Sequence, residues 1–97
     1  MIKVLSAMPY AQAHIRIDDS GNIYRFSYTT CVATIDSDGW LRIYGLFSRT
    51  TRRHISAFMR EYTPCDYYTA KHIFTEGMVM NMHTGEVLTY EEFEPNI

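Results

Sequence analysis

Arg49, Arg52, Arg53 and His54 fall within six residues, interleaved with Ser48, Thr50 and Thr51, in the stretch SRTTRRHISAFMREY from Ser48 to Tyr62. Guanidinium groups at this density suit phosphate or carboxylate, because each presents a planar fork of donors that grips two oxygens at once. The second half of the stretch has helical spacing, so the arginines would open a helix. That end carries partial positive charge, and an exposed cation there loses on the order of 0.3–1 kcal/mol. Two arrangements would offset the loss. One is an anionic partner, either nucleic acid backbone or an acidic protein surface, at a helix start whose N–H groups also face anions. The other is pairing with acids elsewhere in the chain.

The same stretch offers little for catalysis. A nucleophile needs a base beside it, and the base needs a group to orient it. His54 has Ser48, Thr50 and Thr51 near it in sequence, but no nucleophile-elbow motif surrounds them. The expectation is a non-enzymatic protein. The soft metal ligands are His14, His54, His72, His83, Cys31 and Cys65, and none are paired at zinc-site spacing. Asp36-Ser37-Asp38-Gly39 resembles the opening of a calcium loop but lacks the downstream acid, so it reads as a turn. The glycines never cluster into a phosphate loop. No metal and no cofactor is expected.

The elements that must position these residues follow from periodicity. Turn signals at Asp18–Asn22, Asp36–Gly39 and His83–Glu86 each combine a small polar residue with Gly and lie between β-branched and aromatic runs, which predicts three hairpins. Tyr24, Phe26 and Tyr28 share one strand face, with Arg25, Ser27 and Thr29 opposite. Leu41, Ile43 and Phe47 share a face of the next strand, with Trp40, Arg42 and Tyr44 opposite. Alternation fails around Cys31-Val32-Ala33, which points to a bulge or a doubly buried strand.

Ile55, Phe58, Met59 and Tyr62 then form a helical stripe. Ser48 or Thr50 would cap it and Thr63-Pro64 would end it. Pro64 would open a second helix over about 65–76, with Tyr67, Ala70, Ile73 and Phe74 inward and Gly77 as its stop. The expected fold is one α+β domain over residues 1–97, a small antiparallel sheet built from hairpins with two helices packed on one face. The N-terminal run reads as a first strand, and residues 91–97 as a frayed acidic tail.

Composition is globular, with 46% hydrophobic and 21% charged residues. The two cysteines form no framework, which fits a cytoplasmic protein with free thiols. No stretch is long and apolar enough to span a membrane. A net charge of -2 makes no whole-molecule case for nucleic acid, but residues 1–63 carry +3 and residues 64–97 carry -5. That division suggests two electrostatically distinct ends. Eight tyrosines exceed what so small a core absorbs. Trp40, Arg42 and Tyr44 on one sheet face, and Tyr68 beside Tyr67, are the residue types that anchor protein interfaces.

The segment Phe26–Met59 resembles an uncharacterised family of small proteins from bacteriophages and mobile elements of Gram-positive bacteria. The likeness rests on Ser27-Tyr28, Thr30 and Val32-Ala33 in a strand, then Ser48, Thr50-Thr51 and Arg53-His54-Ile55 leading into a helix. It implies a phage accessory protein acting in the cytoplasm of the bacterial host by protein–protein binding. Proteins of that kind include anti-CRISPR inhibitors, whose partner is a CRISPR nuclease or its guide complex. The alternative is a nucleic-acid-binding accessory protein that contacts phosphates through the arginines. The candidate partner-binding residues are Arg49, Arg52, Arg53, His54, Trp40, Arg42, Tyr44 and Tyr68.

Overall fold

The computed structural model describes residues 2–4, 13–45 and 48–93. Seven strands form one antiparallel sheet whose spatial order is the chain order: β1 (Ile2–Val4), β2 (Ala13–Ile17), β3 (Ile23–Ser27), β4 (Thr30–Ile35), β5 (Trp40–Ile43), β6 (Met78–Asn81) and β7 (Val87–Thr89). Two helices, α1 (Arg49–Tyr62) and α2 (Tyr67–Thr75), separate β5 from β6 and pack on one face. A single turn of helix, α3 (Tyr90–Phe93), follows β7. The fold is α+β, as the change from a two-residue to a helical period requires.

The three expected turns are present, and their side chains explain them. Asp18 Oδ1 accepts from the Ser20 and Asn22 N–H groups, and Asp36 Oδ1 from those of Asp38 and Trp40. Such Asx contacts close a turn before the strands pair. Gly39 sits at φ +94°, a conformation that side chains avoid.

Three expectations change. The run from Ile23 to Ile35 is not one strand but a hairpin, broken at Tyr28-Thr29, with Tyr28 at φ +59°. The irregularity near Val32 is a bulge inside it. Arg25 faces Ala33 and Phe26 faces Cys31, so Val32 is the extra residue and turns inward with Ala33. The N-terminal run divides into two paired strands, β1 and β2. The acidic end is helical through Phe93 rather than frayed there, while residues 94–97, like Phe47, lie outside the described residues.

Ser48 caps α1, its Oγ accepting from the Thr51 N–H at 3.1 Å. Thr63 closes the other end before Pro64, its N–H and Oγ both donating to the Met59 carbonyl. Asp66, not Pro64, caps α2, accepting from the Thr69 N–H. The core lies between sheet and helices: Ile15, Val32, Ala33, Leu41 and Ile43 against Ile55, Phe58 and Met59 of α1 and Ala70 and Ile73 of α2. Phe58 is fully buried, and its truncation to Ala would cost roughly 3–5 kcal/mol. Among the described residues no helix is long and apolar enough to cross a membrane.

Candidate functional site

The two halves of the sequence signature meet where β3 and β4 run under the start of α1. Ser48 Oγ donates to Thr51 Oγ1 at 3.2 Å. Thr51 Oγ1 lies 3.1 Å from Ser27 Oγ, which lies 2.7 Å from His54 Nδ1. Read in one direction, each hydroxyl donates once, and the imidazole accepts at Nδ1 in its neutral form. Burial, helped by the charge of Arg25, pushes the His54 pKa down, which agrees with a neutral ring. Ser27, Tyr28, Thr30, Val32, Ser48 and Thr51 also line a hollow of about 200 Å³.

His54 is therefore a corrected candidate. It is only 1% exposed and faces the sheet, so it presents no surface to a partner. The Ser27–His54 contact is short enough for a nucleophile–base pair, but its surroundings oppose that chemistry. A base must become an imidazolium, and the neighbouring charge is the Arg25 cation rather than a carboxylate. Arg25 is itself fully buried, and its Nε donates to the His54 carbonyl at 3.1 Å. The cluster is built to join helix and sheet.

The arginines face the other way. Arg49, Arg52 and Arg53, with Ser56, occupy positions i, i+3, i+4 and i+7 of α1, one stripe beside the buried one. With Tyr67 and Tyr68 at the start of α2 they line an open groove of about 420 Å³. All three arginines are exposed, and none pairs with an acid among the described residues. Tyr68 is 74% exposed, and its ring lies edge-on to Tyr67 at 5.9 Å. The fold thus brings four predicted residues, Arg49, Arg52, Arg53 and Tyr68, into one concavity. Ser56 and Tyr67 were missed. The spacing already pointed to Ser56, while Tyr67 both packs on the core and lines the groove.

Trp40, Arg42 and Tyr44 lie on the opposite side of the sheet. The Arg42 guanidinium carbon is 5.2 Å from the Tyr44 ring centre and 4.7 Å from that of Tyr90. Trp40 packs on Phe93 at 5.3 Å. The predicted set is consequently two surfaces, not one. Tyr90 and Phe93 of α3, the second of them read from sequence as part of the tail, complete the second.

These features define a small α+β protein with a cationic, tyrosine-lined groove on its helical layer and an aromatic face on its sheet. The chain belongs to a family of unknown function (DUF8033), which matches residues 5–76. That span holds β2 to β5, α1 and α2, and so the whole hydroxyl–histidine junction and the arginine groove. No curated protein and no solved structure matches the chain.

Proposed function

We propose that this chain is a non-enzymatic binding protein whose arginine–tyrosine groove docks an acidic surface of a protein partner. One observation carries the reading: three exposed guanidiniums, without acidic partners among the described residues, line a single concavity with two tyrosines. Leaving cations at a helix start costs stability, and a carboxylate-bearing partner recovers it through bidentate contacts. Arg and Tyr are also the side chains that dominate binding energy when a partner buries them.

The resemblance to phage and mobile-element proteins supplies the setting. In this reading the protein works in the cytoplasm of a bacterial host and blocks a defence machine stoichiometrically, the partner being a CRISPR nuclease or its guide complex. The test is affinity capture from a CRISPR-bearing host, combined with phage infection in the presence of the protein. The wild-type chain should recover a defence component and protect the phage. A folded variant with Arg49, Arg52 and Arg53 all changed to Ala should do neither. Absence of capture and of protection by the wild type would sink the defence reading.

The same guanidiniums fit a phosphate backbone, and the unpaired N–H groups at the start of α1 favour anions of either kind. Binding of duplex DNA by this groove, weakening with salt and with each Arg→Ala change, would replace the protein partner with nucleic acid.

A further inference from the structure

A second surface lies on the far side of the molecule and goes beyond the groove reading. The sheet face turned away from α1 and α2 carries no described helix over β2, β3 and β4. Its outward residues are His14 and Arg16 on β2, Tyr24 and Phe26 on β3, and Cys31 and Thr34 on β4, with Arg42 and Tyr44 beyond. These are rings, guanidiniums, a thiol and a hydroxyl, with no branched aliphatic residue among them. Register aligns Arg16, Tyr24, Thr34 and Arg42 in one row across four strands. At about 4.8 Å per strand, its two guanidiniums stand roughly 14 Å apart, and the register continues past Arg16 to Ile2 of β1.

Tyr24 and Phe26 are alternate residues of one strand, so their stems stand about 6.8 Å apart. That is about twice the 3.4 Å rise between stacked bases. Phe26 is already part of a parallel stack, its ring 4.8 Å from His14 and tilted by 6°. Two hollows open side by side on this face. One of about 400 Å³ is lined by Arg16, Asp18, Tyr24, Phe26, Cys31 and Tyr44, and the lining of one of about 260 Å³ includes Tyr24, Asp36, Trp40, Arg42, Tyr44 and Phe93. Tyr24 and Tyr44 line both, so each hollow has aromatic walls, one guanidinium and one carboxylate.

The two carboxylates in these linings are Asp18 and Asp36, and their oxygens serve the turns. Asp18 accepts from Ser20, Asn22 and Tyr24, and Asp36 from Asp38 and Trp40. Arg16 is exposed beside its register partner Ile2 of β1, and Tyr44 is 44% exposed at the partition. Flat rings interleaved with guanidiniums on an open sheet suit unpaired bases, whose faces stack whatever their sequence, with phosphates held by cations.

We infer that this sheet face binds single-stranded nucleic acid, with unpaired bases stacked on Tyr24, Phe26 and Tyr44 and a phosphate held by Arg16. The test uses the full chain and fluorescence anisotropy with fluorescein-labelled oligothymidylate and oligouridylate of roughly 12 nucleotides, a length within known site sizes, beside a duplex of the same length. The single strands should bind at about 50 mM salt and the duplex at least about ten-fold more weakly. Equal affinity for the two single strands assigns recognition to base stacking and phosphate. A preference for RNA adds the 2′-hydroxyl, and either result supports the inference. Tyr44→Ala should weaken binding about ten-fold while Tyr44→Phe retains it. Arg16→Ala should lower the salt slope by about one. The inference is overturned if neither single strand binds, or if the duplex binds equally well. It is also overturned if binding is lost in Arg52→Ala and Tyr68→Ala but kept in Tyr44→Ala, a result that would move nucleic acid to the helical groove.

Discussion

Ser27 Oγ lies 2.7 Å from His54 Nδ1, and this contact joins the end of β3 to the second turn of α1. Both side chains are buried, so neither is easily repaired by water when its partner is removed. The pair also makes stability depend on pH. The folded His54 pKa is depressed, first by burial and then by Arg25, whereas the unfolded ring titrates near 6.5. Below that value the unfolded chain binds the extra proton. The contribution is therefore complete above about pH 6.5 and is lost as pH falls through the lower folded value. Urea midpoints measured from about pH 7.5 down to 5 should fall for the wild type, with His54→Gln removing that part of the decline. An unchanged pH profile in His54→Gln would refute the assignment. Ser27→Ala should cost roughly 1–3 kcal/mol at neutral pH.

Arg25 makes the opposite prediction. Its Nε has an acceptor, but its two Nη atoms are buried without a hydrogen-bond partner among the described residues. Burial pulls its pKa down to about 10, against smaller opposing effects of Glu61 and Tyr62. A buried charge so poorly compensated is a liability, and an apolar side chain of similar length avoids the desolvation cost. Arg25→Met should leave stability unchanged or raise it by roughly 1–4 kcal/mol in chemical denaturation. A loss of more than about 2 kcal/mol would mean that the guanidinium is satisfied in solution.

Much of this architecture was legible in the chain. Asp18, Asp36 and the glycines mark turns because their chemistry is local. The Ile55–Tyr62 stripe and Thr63-Pro64 fix α1 for the same reason. The failed alternation at Val32 was a true signal of the bulge. What stayed hidden depends on distant partners. Alternation separated Tyr24 and Phe26 from Arg25 and Ser27, but not which side would lie under the helices, and the arginine side does. Nothing in Tyr28-Thr29 announces a turn, since neither is a turn-forming residue. The arginine stripe was visible, whereas its pairing with Tyr67 and Tyr68 needed the packing of α2 on α1.

Tyr28 bears the cost of that unannounced turn. It sits at φ +59° in a two-residue loop, at the first position, where glycine is favoured when φ must be positive. A left-handed conformation costs a side chain roughly 1–2 kcal/mol. Its ring, 50% exposed and 6.0 Å from that of His54, returns less than this. Tyr28→Gly should raise the melting temperature by roughly 4–8 °C, as about 1 kcal/mol does in a domain of this size. A lower melting temperature would show that the contact with His54 outweighs the strain.

Gly39 tests how the hairpin turns lock together. Its carbonyl accepts from the Met82 N–H at 2.7 Å, and the Asp38 carbonyl accepts from Asn81 Nδ2 at 3.1 Å, so the turn after β4 is fastened to the turn after β6. A Cβ at Gly39 would clash with the edge of the His83 ring at Cδ2 and Nε2, in addition to the strain of φ +94°. Gly85, at φ +79°, has nothing within 4 Å of the same added atom. Both Gly→Ala changes carry conformational strain of roughly 1–2 kcal/mol, and only the first adds a clash. Gly39→Ala should therefore lose more stability than Gly85→Ala in thermal melts. Because His83 is an exposed side chain, combining Gly39→Ala with His83→Ala should recover the difference and leave the strain. Equal losses for the two glycines would show that His83 swings aside freely and that only the backbone strain is felt.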